Sequence, residues 1–426
     1  MALPSPALPR QDAAAAQDIF DLDNATTVCP APEHSAWHWL QATLQDAASR
    51  GCQHIHLEPG NENCRIRLRS LDRFEETLVP EPTEMLATIQ LLRSRLWGDS
   101  ATIRSPAYLS ATLLQKQRFV EVRIVATTLG DTCLLTLYND PNHQPTLDEI
   151  GFDNAQLIAL REHLTEAPPG WLMVVCNDTE ANATTVRAIA QELNIPDRKM
   201  LCAEPALHPS LPRITQLVMD SNVSDAQQMC WWQACQLNLD VALLAVPLNH
   251  QALKPLQAQA LDNLLVVHGV TAQQPAQAIQ QLLATGVTPF WIAGSVTKVI
   301  VQQVVRLLCP HCHSTMELDR ESEEALHALT TPVAQDVNSW LKATMQHSYR
   351  QGEGCEHCHH TGHIGQRNVY DIVSLNPDIV RALVQQDIPL ALTELNRESQ
   401  LPMRVLELAR RGEIALSEVL RIVRGQ

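Results

Sequence analysis

Two pairs of closely spaced cysteines are the clearest chemical signal in this sequence. Cys309 and Cys312 form one Cys-x-x-Cys pair, and Cys355 and Cys358 form a second. A two-residue spacer turns both thiolates of a pair to one side, and two such pairs can surround one Zn²⁺ ion tetrahedrally. Four protein ligands leave no open position for a substrate water. The sequence therefore predicts a structural zinc site that stabilises a fold and does no chemistry itself.

On the sequence alone, other roles for these cysteines stay open. Histidines flank both pairs, so that one of them could replace a cysteine ligand; they are His311, His313, His357, His359, His360 and His363. Four idle buried cysteines and a disulfide framework are the remaining alternatives. The other cysteines are scattered without paired spacing, and scattered thiols beside a zinc site are typical of a reducing cytoplasm.

Length and composition limit the possible protein classes. The chain has 426 residues, enough for roughly two or three domains, and 45% of them are hydrophobic, as in a globular protein. Its formal net charge is −16, and it has no basic cluster, which argues against a nucleic-acid partner. Neither a signal peptide nor an apolar run of about 20 residues is evident. We therefore expect a cytoplasmic globular protein.

Changes in the apolar pattern divide the chain into five predicted segments. Residues 1–34, rich in alanine, proline and aspartate, are predicted to be flexible. Residues 35–140 mix helical and strand periods and predict a small α+β domain. Residues 146–304 predict a parallel α/β core, residues 305–366 a four-cysteine zinc module, and residues 367–426 a helical C-terminal region. The predicted fold class is thus multidomain, α+β followed by α/β.

The core is predicted from one strand–loop–helix unit. The apolar run 170–176 predicts a buried strand, residues 177–183 a loop, and residues 184–193 a helix. Further strands and helices are predicted along the rest of the chain. The strands are at 199–203, 240–246, 264–267 and 369–373, and the helices are at 277–283, 296–308, 390–398 and 403–423.

The segment between this strand and this helix is where a P-loop would hold phosphates. It consists of Cys176, Asn177, Asp178, Thr179, Glu180, Ala181, Asn182, Ala183 and Thr184. A P-loop needs glycines that let backbone N–H groups surround the phosphates, a lysine, and a hydroxyl for Mg²⁺. This segment has no glycine and no lysine, and Asp178 and Glu180 bring negative charge. We therefore predict that ATP and Mg²⁺ do not bind here in the usual way and that the segment contains no catalytic residue.

The order of these parts resembles the secretion ATPases of type II secretion and type IV pilus assembly, the GspE/PilB-like family. The resemblance extends from about residue 35 to the C-terminus and implies a RecA-like core of the P-loop type. Its most specific motif is the four-cysteine module. The matching stretches are Arg306–Cys312, Gly354–Cys358, Thr361–Gly362, His54–Pro59, Val122–Gly130, Gly286–Pro289 and Ala293–Ser295.

The family's nucleotide-binding motifs are degenerate in this sequence. Residues 176–185 stand where the family has G-P-T-G-S-G-K-T-T-T, and Asn182 takes the place of the lysine. The acidic E-D-P box corresponds to residues 203–205, where only Glu204 keeps a carboxylate. In the Walker B region, Val246 and Leu248 replace the family's glutamate and arginine.

Two further positions complete the comparison of motifs. Val270 stands in place of the family's box histidine, and His268 is either a substitute for it or an unrelated histidine. Of the arginines that the family uses to reach a neighbouring subunit's nucleotide, only Arg123 clearly remains. Because glycines, lysine, acid and histidine are lost together, the resemblance implies a retained fold with an erased motor site.

The leading functional hypothesis is therefore a catalytically inactive secretion ATPase. By resemblance, it would act as a scaffold or regulator in the cytoplasm, peripheral to the bacterial inner membrane. It would join a homo- or hetero-hexamer with secretion ATPase subunits and contact an inner-membrane platform protein. The alternative is an active ATPase that powers pilin assembly, with Lys199, Arg187 or Arg213 supplying positive charge. A zinc protein that binds nucleic acid is a third reading, which the net charge disfavours.

Overall fold

The chain consists of two compact units, Met1–His143 and Gln144–Gln426. The structure is a computed structural model, and each unit is described by itself. The residues it describes are 20–28, 31–60, 63–70, 73–78, 82–98, 107–138, 145–204, 211–219, 225–245, 250–316, 318, 322, 324, 326 and 349–424. No helix in this described part combines the length and the apolar character that a membrane crossing requires.

The first unit is a seven-stranded sheet with three helices, in the order β1-β5-β6-β7-β2-β3-β4. The strands are β1 (Phe20–Asp21), β2 (His54–Glu58), β3 (Arg65–Ser70), β4 (Arg73–Leu78), β5 (Ala107–Leu113), β6 (Lys116–Thr127) and β7 (Gly130–Tyr138). The helices are α1 (Leu22–Val28), α2 (Ala31–Ser49) and α3 (Pro82–Trp97). Alternate residues of β2, Ile55 and Leu57, are buried in the core beneath the helices.

The predicted flexible segment 1–34 differs from the structure where the structure describes it. Strand β1 pairs with β5, and α1 and the start of α2 follow it. Leu22 is fully buried, and the Phe20 ring lies 4.9 Å from the ring of Trp37. These apolar contacts order residues that composition alone placed in a lead-in. Residues 1–19 and the predicted linker around residues 140–144 lie outside the described residues.

The second unit is built on another seven-stranded sheet, in the order β10-β9-β11-β12-β8-β13-β16, whose strands are parallel except for β16. The strands are β8 (Gly170–Cys176), β9 (Met200–Glu204), β10 (Ile214–Val218), β11 (Val241–Leu244), β12 (Leu265–Thr271), β13 (Val296–Leu308) and β16 (His363–Val373). A small separate pair consists of β14 (His313–Met316) and β15 (Tyr349–Gly352).

Ten helices of the described part belong to this unit. They are α4 (Asn154–Glu166), α5 (Thr179–Leu193), α6 (Asp225–Cys235), α7 (His250–Gln259), α8 (Pro275–Ala284), α9 (Pro289–Ser295), α10 (Pro377–Val384), α11 (Ile388–Glu398), α12 (Leu401–Arg410) and α13 (Leu416–Arg424). Hydrophobic clusters lie on both faces of the sheet. Strands β8, β9 and β11 are therefore buried along their whole length. This confirms the predicted α/β architecture.

The largest error of the sequence analysis concerns residues 296–308, which were predicted as a helix. They form β13, which pairs with β8 on one side and with β16 on the other. Its sequence, Val-Thr-Lys-Val-Ile-Val-Gln-Gln-Val-Val-Arg-Leu-Leu, is rich in β-branched residues, which suit a strand buried between two neighbours. The predicted boundaries at 304/305 and 366/367 fall inside β13 and β16. The predicted helix 403–423 is two helices separated at Gly412, whose φ is +72°.

A buried ion cluster fixes the last helix to β13, the strand next to the sheet edge. Glu418 on α13 has no exposed surface, and it pairs with Arg306 on β13 and with Arg421 one turn further along. Both arginines are largely buried as well. Because a carboxylate buried in this way requires its partners, the cluster holds α13 in one position against β13.

Replacing Glu418 with alanine should destabilise this unit strongly, because it leaves two buried guanidinium groups without their carboxylate. We expect the free energy of unfolding to fall by about 3 kcal/mol. The matched control is Glu413→Ala, since Glu413 pairs with Arg367 at the surface and its loss should amount to less than about 1 kcal/mol. Urea unfolding followed by tryptophan fluorescence measures both, and equal losses would contradict this account.

Candidate functional site

The four cysteines of the predicted metal site come together at the ends of four strands. Cys309 follows β13, Cys312 precedes β14, Cys355 follows β15, and Cys358 precedes β16. Their sulfur atoms all lie within 4.8 Å of one another. The Sγ–Sγ distance is 3.8 Å between Cys309 and Cys355, and 3.7 Å from Cys358 to Cys312 and to Cys355. A tetrahedral centre with metal–sulfur bonds of about 2.3 Å places its sulfurs about 3.8 Å apart, so the four thiols fit a metal ion.

The backbone around the cluster stabilises the thiolate of Cys358. The N–H groups of Cys355 and Gly362 donate to Cys358 Sγ at 3.1 and 3.2 Å. Burial acts to raise the pKa of the Cys358 thiol, but these hydrogen bonds and the neighbouring thiols lower it to about 6. Gly352 and Gly362 pack backbone against backbone, so a Cβ at either position would overlap the other. The cluster therefore offers the Cys358 thiolate as a metal ligand, and the closely packed backbone of Gly352 and Gly362 surrounds it.

The alternatives left open by the sequence are less compatible with this geometry. Among the described residues, the metal-ligand group contains the four cysteines and no histidine. His311 and His357 instead stack on each other at the surface, with ring centroids 4.3 Å apart. The sulfur separations also exceed the disulfide bond length of about 2.05 Å. We conclude that the cluster can hold a metal with four thiolate ligands.

The segment in the position of a P-loop is mostly helical. Helix α5 begins at Thr179, five residues before the predicted start at Thr184, so that only Asn177 and Asp178 separate it from β8. The Asp178 carboxylate is the N-cap and accepts the N–H of Ala181 at 2.8 Å. Thr179, Glu180, Ala181, Asn182, Ala183 and Thr184 therefore lie inside the first turns of the helix. The predicted loop at residues 177–183 was wrong, because Asp178 caps the helix and the helix begins at the next residue.

This backbone does not form a phosphate cradle. Within the described stretch 145–204, no residue between 176 and 184 has a positive φ. A phosphate-binding nest needs consecutive N–H groups that converge through alternating right- and left-handed conformations. The N-terminal end of α5, where an anion would bind, already carries the Asp178 carboxylate.

Asn182, which stands in the place of the lysine, points into the sheet. Its exposed fraction is 4%, and its Nδ2 donates to the carbonyl oxygens of Val174 at 3.0 Å and Val270 at 3.1 Å. Gly269 permits this arrangement, because a Cβ there would overlap the Asn182 side chain. The residue that would reach a phosphate in a P-loop thus bonds two strands instead.

Two acidic residues remain at the positions of the family's motifs, Glu204 and Asp240, and both form hydrogen bonds within the fold. Glu204 accepts from Arg187 Nη1 at 2.8 and 2.6 Å, and both side chains are buried. Asp240, just before β11, accepts the N–H of Lys199 at 2.6 Å at the opposite end of the strands from α5's start. The predicted substitutions at Val246 and Leu248 lie outside the described residues. The sequence analysis did not predict the Arg187–Glu204 pair, because its partners meet only through the fold.

His268 is a core residue. Its Nδ1 accepts the indole N–H of Trp171 at 3.3 Å, and burial lowers its pKa to about 4. Trp171 belongs to the core on the face of the sheet opposite to α5. His268 is therefore neutral near pH 7 and faces away from the α5 N-terminus, which supports the reading of an unrelated histidine.

Arg123, the remaining family arginine, lies on β6 of the first unit. It pairs with Glu121, whose other carboxylate oxygen accepts the Tyr138 hydroxyl at 2.6 Å. Glu121 is almost fully buried, while about half of the Arg123 side chain is exposed. The guanidinium group is thus fixed by its own domain.

A groove that the sequence did not predict lies between α12 and the edge strand β16, with a volume of about 500 Å³. Its walls come from residues distant in sequence, which is why no motif indicated it. Its arginines are already paired: Arg404 with Asp153, Arg411 with Glu407, and Arg367 with Glu413. Each of the described arginines that line the groove therefore has a carboxylate partner.

Purified chain should carry one metal ion per molecule, held by the four thiolates. Cys355→Ser should remove most of this metal, because a hydroxyl is a poor ligand for a soft tetrahedral centre. Cys230→Ser is the matched control, since Cys230 lies outside the cluster, and it should keep the full content. Elemental analysis by mass spectrometry measures the ratio; full metal content in Cys355→Ser would show that the cluster does not hold it.

His268 should make stability depend on pH between 6.5 and 4. An unfolded histidine takes up a proton below about pH 6.5, but folded His268 does so only below about 4. The unfolded state therefore binds more protons in this window, and stability falls as the pH drops through it. We expect His268 to account for a loss of about 2 kcal/mol between pH 7 and pH 5.

Urea unfolding of wild type and His268→Asn at both pH values isolates this contribution. Asparagine keeps an acceptor for the Trp171 N–H but does not titrate, and the metal cluster is the same in both proteins. The variant should lose less stability on acidification than wild type. Parallel losses would mean that His268 titrates normally.

Comparison with known proteins identifies the family. The family model described as "Type II/IV secretion system protein" matches residues 33–421. "Type II secretion system protein E" of Aeromonas hydrophila is 23% identical over 414 residues, which cover 96% of this chain and 78% of that protein. "Type IV pilus assembly ATPase PilB" of Pseudomonas aeruginosa is 24% identical over 425 residues, covering 96% and 71%.

Solved structures agree in fold. The Yersinia pseudotuberculosis ATPase DotB superposes with a TM-score of 0.60 at 12% identity, covering 94% of this chain and 95% of that one. The pilus retraction motor PilT with bound ADP gives a TM-score of 0.51 at 11% identity, covering 90% and 96%. The predicted resemblance is thereby confirmed. This chain belongs to the family of type II/IV secretion system proteins.

Proposed function

We propose that this chain is a catalytically inactive member of its family, a scaffold or regulator at the cytoplasmic base of a type IV pilus or type II secretion machine. One observation carries the proposal: a carboxylate of the protein itself, Asp178, caps the helix that follows β8. In a P-loop this is the position of the phosphates.

Electrostatics supports the loss of nucleotide binding. The positive end of a helix dipole favours one anion, and Asp178 already provides it. Glu180 adds a second carboxylate in the first turn. Two like charges about 4 Å apart repel by about 4 kcal/mol at an effective dielectric of 20, and no lysine of this segment offsets the charge of a triphosphate. Phosphoryl transfer depends on positioning and charge neutralisation, which this segment does not supply.

The alternative, an active ATPase with non-standard residues, has less support. Arg187 is committed to Glu204. Lys199 Nζ contacts Thr215 Oγ1 at 3.2 Å, and Arg213 donates to the side chain and carbonyl oxygen of Asn194. Lys199 and Arg213 precede β9 and β10, at the end of the strands opposite to the start of α5, and the Arg187 guanidinium is neutralised by Glu204.

We assign the four-cysteine cluster to Zn²⁺. Four thiolates in tetrahedral spacing suit this redox-inert ion, and a closed site of this kind is structural. The ion would connect the ends of β13, β14, β15 and β16. In this role the metal stabilises the fold and takes no part in a reaction.

The partners follow from the family. We propose a hexameric ring, formed by copies of this chain or shared with active secretion ATPase subunits, in contact with an inner-membrane platform protein. The names of its relatives, which include a pilus assembly ATPase and a type II secretion protein, support this context. A net charge of −16 disfavours a nucleic-acid partner.

The chain should neither bind nor hydrolyse ATP in the presence of Mg²⁺. Isothermal titration calorimetry with Mg·ATP is expected to show no saturable heat, and a phosphate-release assay no turnover above the buffer rate. Asn182→Lys should not gain binding, because it buries an ammonium group beside β8 and β12 without forming a phosphate-binding loop.

A complete ATPase of the family serves as the positive control in both assays. If a complete family ATPase from the same organism is mixed with the chain, the two proteins should elute together in size-exclusion chromatography. Turnover by the chain alone would establish the active alternative. Separate elution of the two proteins would remove the scaffold role while leaving the inactive site in place.

A further inference from the structure

One turn of α5 contacts four strands that are consecutive in the sheet. Asn182 bonds Val174 on β8 and Val270 on β12. Thr185, one turn later on the same side of the helix, bonds Gln302 on β13 and Tyr370 on β16. The four strands stand in the order β12-β8-β13-β16, so the two side chains reach four of the seven strands of the sheet.

The contacts to β13 and β16 are short and enclosed. The Thr185 hydroxyl donates to Gln302 Oε1 at 2.7 Å, and the Tyr370 hydroxyl lies 2.9 Å from Thr185 Oγ1. Thr185 and Gln302 have no exposed surface, and Tyr370 has 2%. Burial raises the pKa of Tyr370, so its hydroxyl stays protonated and can donate. Burial makes such a network rigid when its members are bonded.

We infer that Asn182 and Thr185 form a structural clamp that holds these four strands together from the position where a nucleotide's phosphates would otherwise sit. We call this set, Asn182 and Thr185 with Val174, Val270, Gln302 and Tyr370, the polar clamp. It gives a stabilising role to the two residues that stand at the lysine and at a threonine of the degenerate motif.

The clamp has a consequence for how the subunit behaves. A site that a ligand must complete leaves polar groups exposed until the ligand arrives. Here Asn182 Nδ2 and the hydroxyl groups of Thr185 and Tyr370 bond to the protein itself, and Asn182 Oδ1 is the one clamp atom that is buried without a hydrogen-bond partner. Strands β12 and β16, which lie on opposite sides of β8 and β13, are therefore connected through α5 without any ligand. The second unit would keep one conformation whether or not nucleotide is present. This inference concerns the fold itself and does not depend on the proposed scaffold role.

Removing either member should lower the thermal midpoint. Asn182→Ala takes away both donors to the strand carbonyls, and Thr185→Val removes one hydroxyl while keeping the shape of the side chain. For a unit of this size we expect each midpoint to drop by about 3 to 8 °C. Thr184→Val is the matched control, since Thr184 is the neighbouring threonine, is not part of the clamp, and should shift the midpoint by about 1 °C or less.

Hydrogen–deuterium exchange distinguishes a clamp from general loss of core packing. Asn182→Ala should speed exchange mainly in β8 and β12, and Thr185→Val mainly in β13 and β16, because the two side chains reach different pairs of strands. Thr185→Ser keeps the hydroxyl and should restore most of the protection in β16. This rescue keeps the test decisive even if Asn182→Ala fails to fold.

The inference would be overturned if Thr185→Val matched Thr184→Val in both midpoint and exchange, or if Thr185→Ser were as damaging as Thr185→Val. Adding Mg·ATP to wild type tests the proposed function separately. A nucleotide-induced rise in the thermal midpoint would contradict the proposal that the chain does not bind ATP. The proposed clamp is tested separately, by the strand-specific exchange of the variants.

Discussion

The free N–H groups at the start of α5 favour a negatively charged partner, and in this protein the Asp178 carboxylate is that partner. Its carboxylate bonds the N–H of Ala181, which starts the helix at Thr179 and leaves only Asn177 and Asp178 between strand and helix. Asn182 and Thr185 then fall on the side of the helix that faces the sheet, where they bond four neighbouring strands. The early start of α5 therefore explains two other features. Residues 179–184 are helical instead of forming a phosphate-binding loop, and the polar side chains of Asn182 and Thr185 face the sheet.

The cysteine cluster lies at the C-terminal end of β13, where it brings together the ends of β13, β14, β15 and β16. Strand β13 lies between β8 and the edge strand β16 and ends just before the first cysteine of the cluster, and β16 begins after the last. The Glu418 cluster fixes α13 against the same strand. Because β13 also pairs with β8, the cysteine cluster and the start of α5 are connected through two neighbouring strands. The family fold thus persists around a segment, residues 176–185, whose sequence differs from the family's nucleotide-binding motif.

The sequence predicted the features that depend on local spacing. The two cysteine pairs indicated the cluster, and the apolar run 170–176 indicated β8, because ligand spacing and burial are visible in a short stretch. It missed β13, whose β-branched pattern also fits a buried helix until its pairing partners are known. It also placed the start of α5 too late. Residues 177–183 were interpreted as a loop because the family has a loop there, although Asp178 is a favourable N-cap residue. The clamp could not be predicted, because Gln302 and Tyr370 meet Thr185 only in the folded sheet.

The central claim is that α5 begins at Thr179 and leaves no place for phosphate. A crystal structure grown with Mg²⁺ and a non-hydrolysable ATP analogue tests it most directly. The account predicts that Asp178 remains bonded to Ala181, that Asn182 remains bonded to Val174 and Val270, and that no phosphate density lies against residues 176–184. Density for a triphosphate bonded to the backbone N–H groups of that segment, with the helix start unwound, would contradict it.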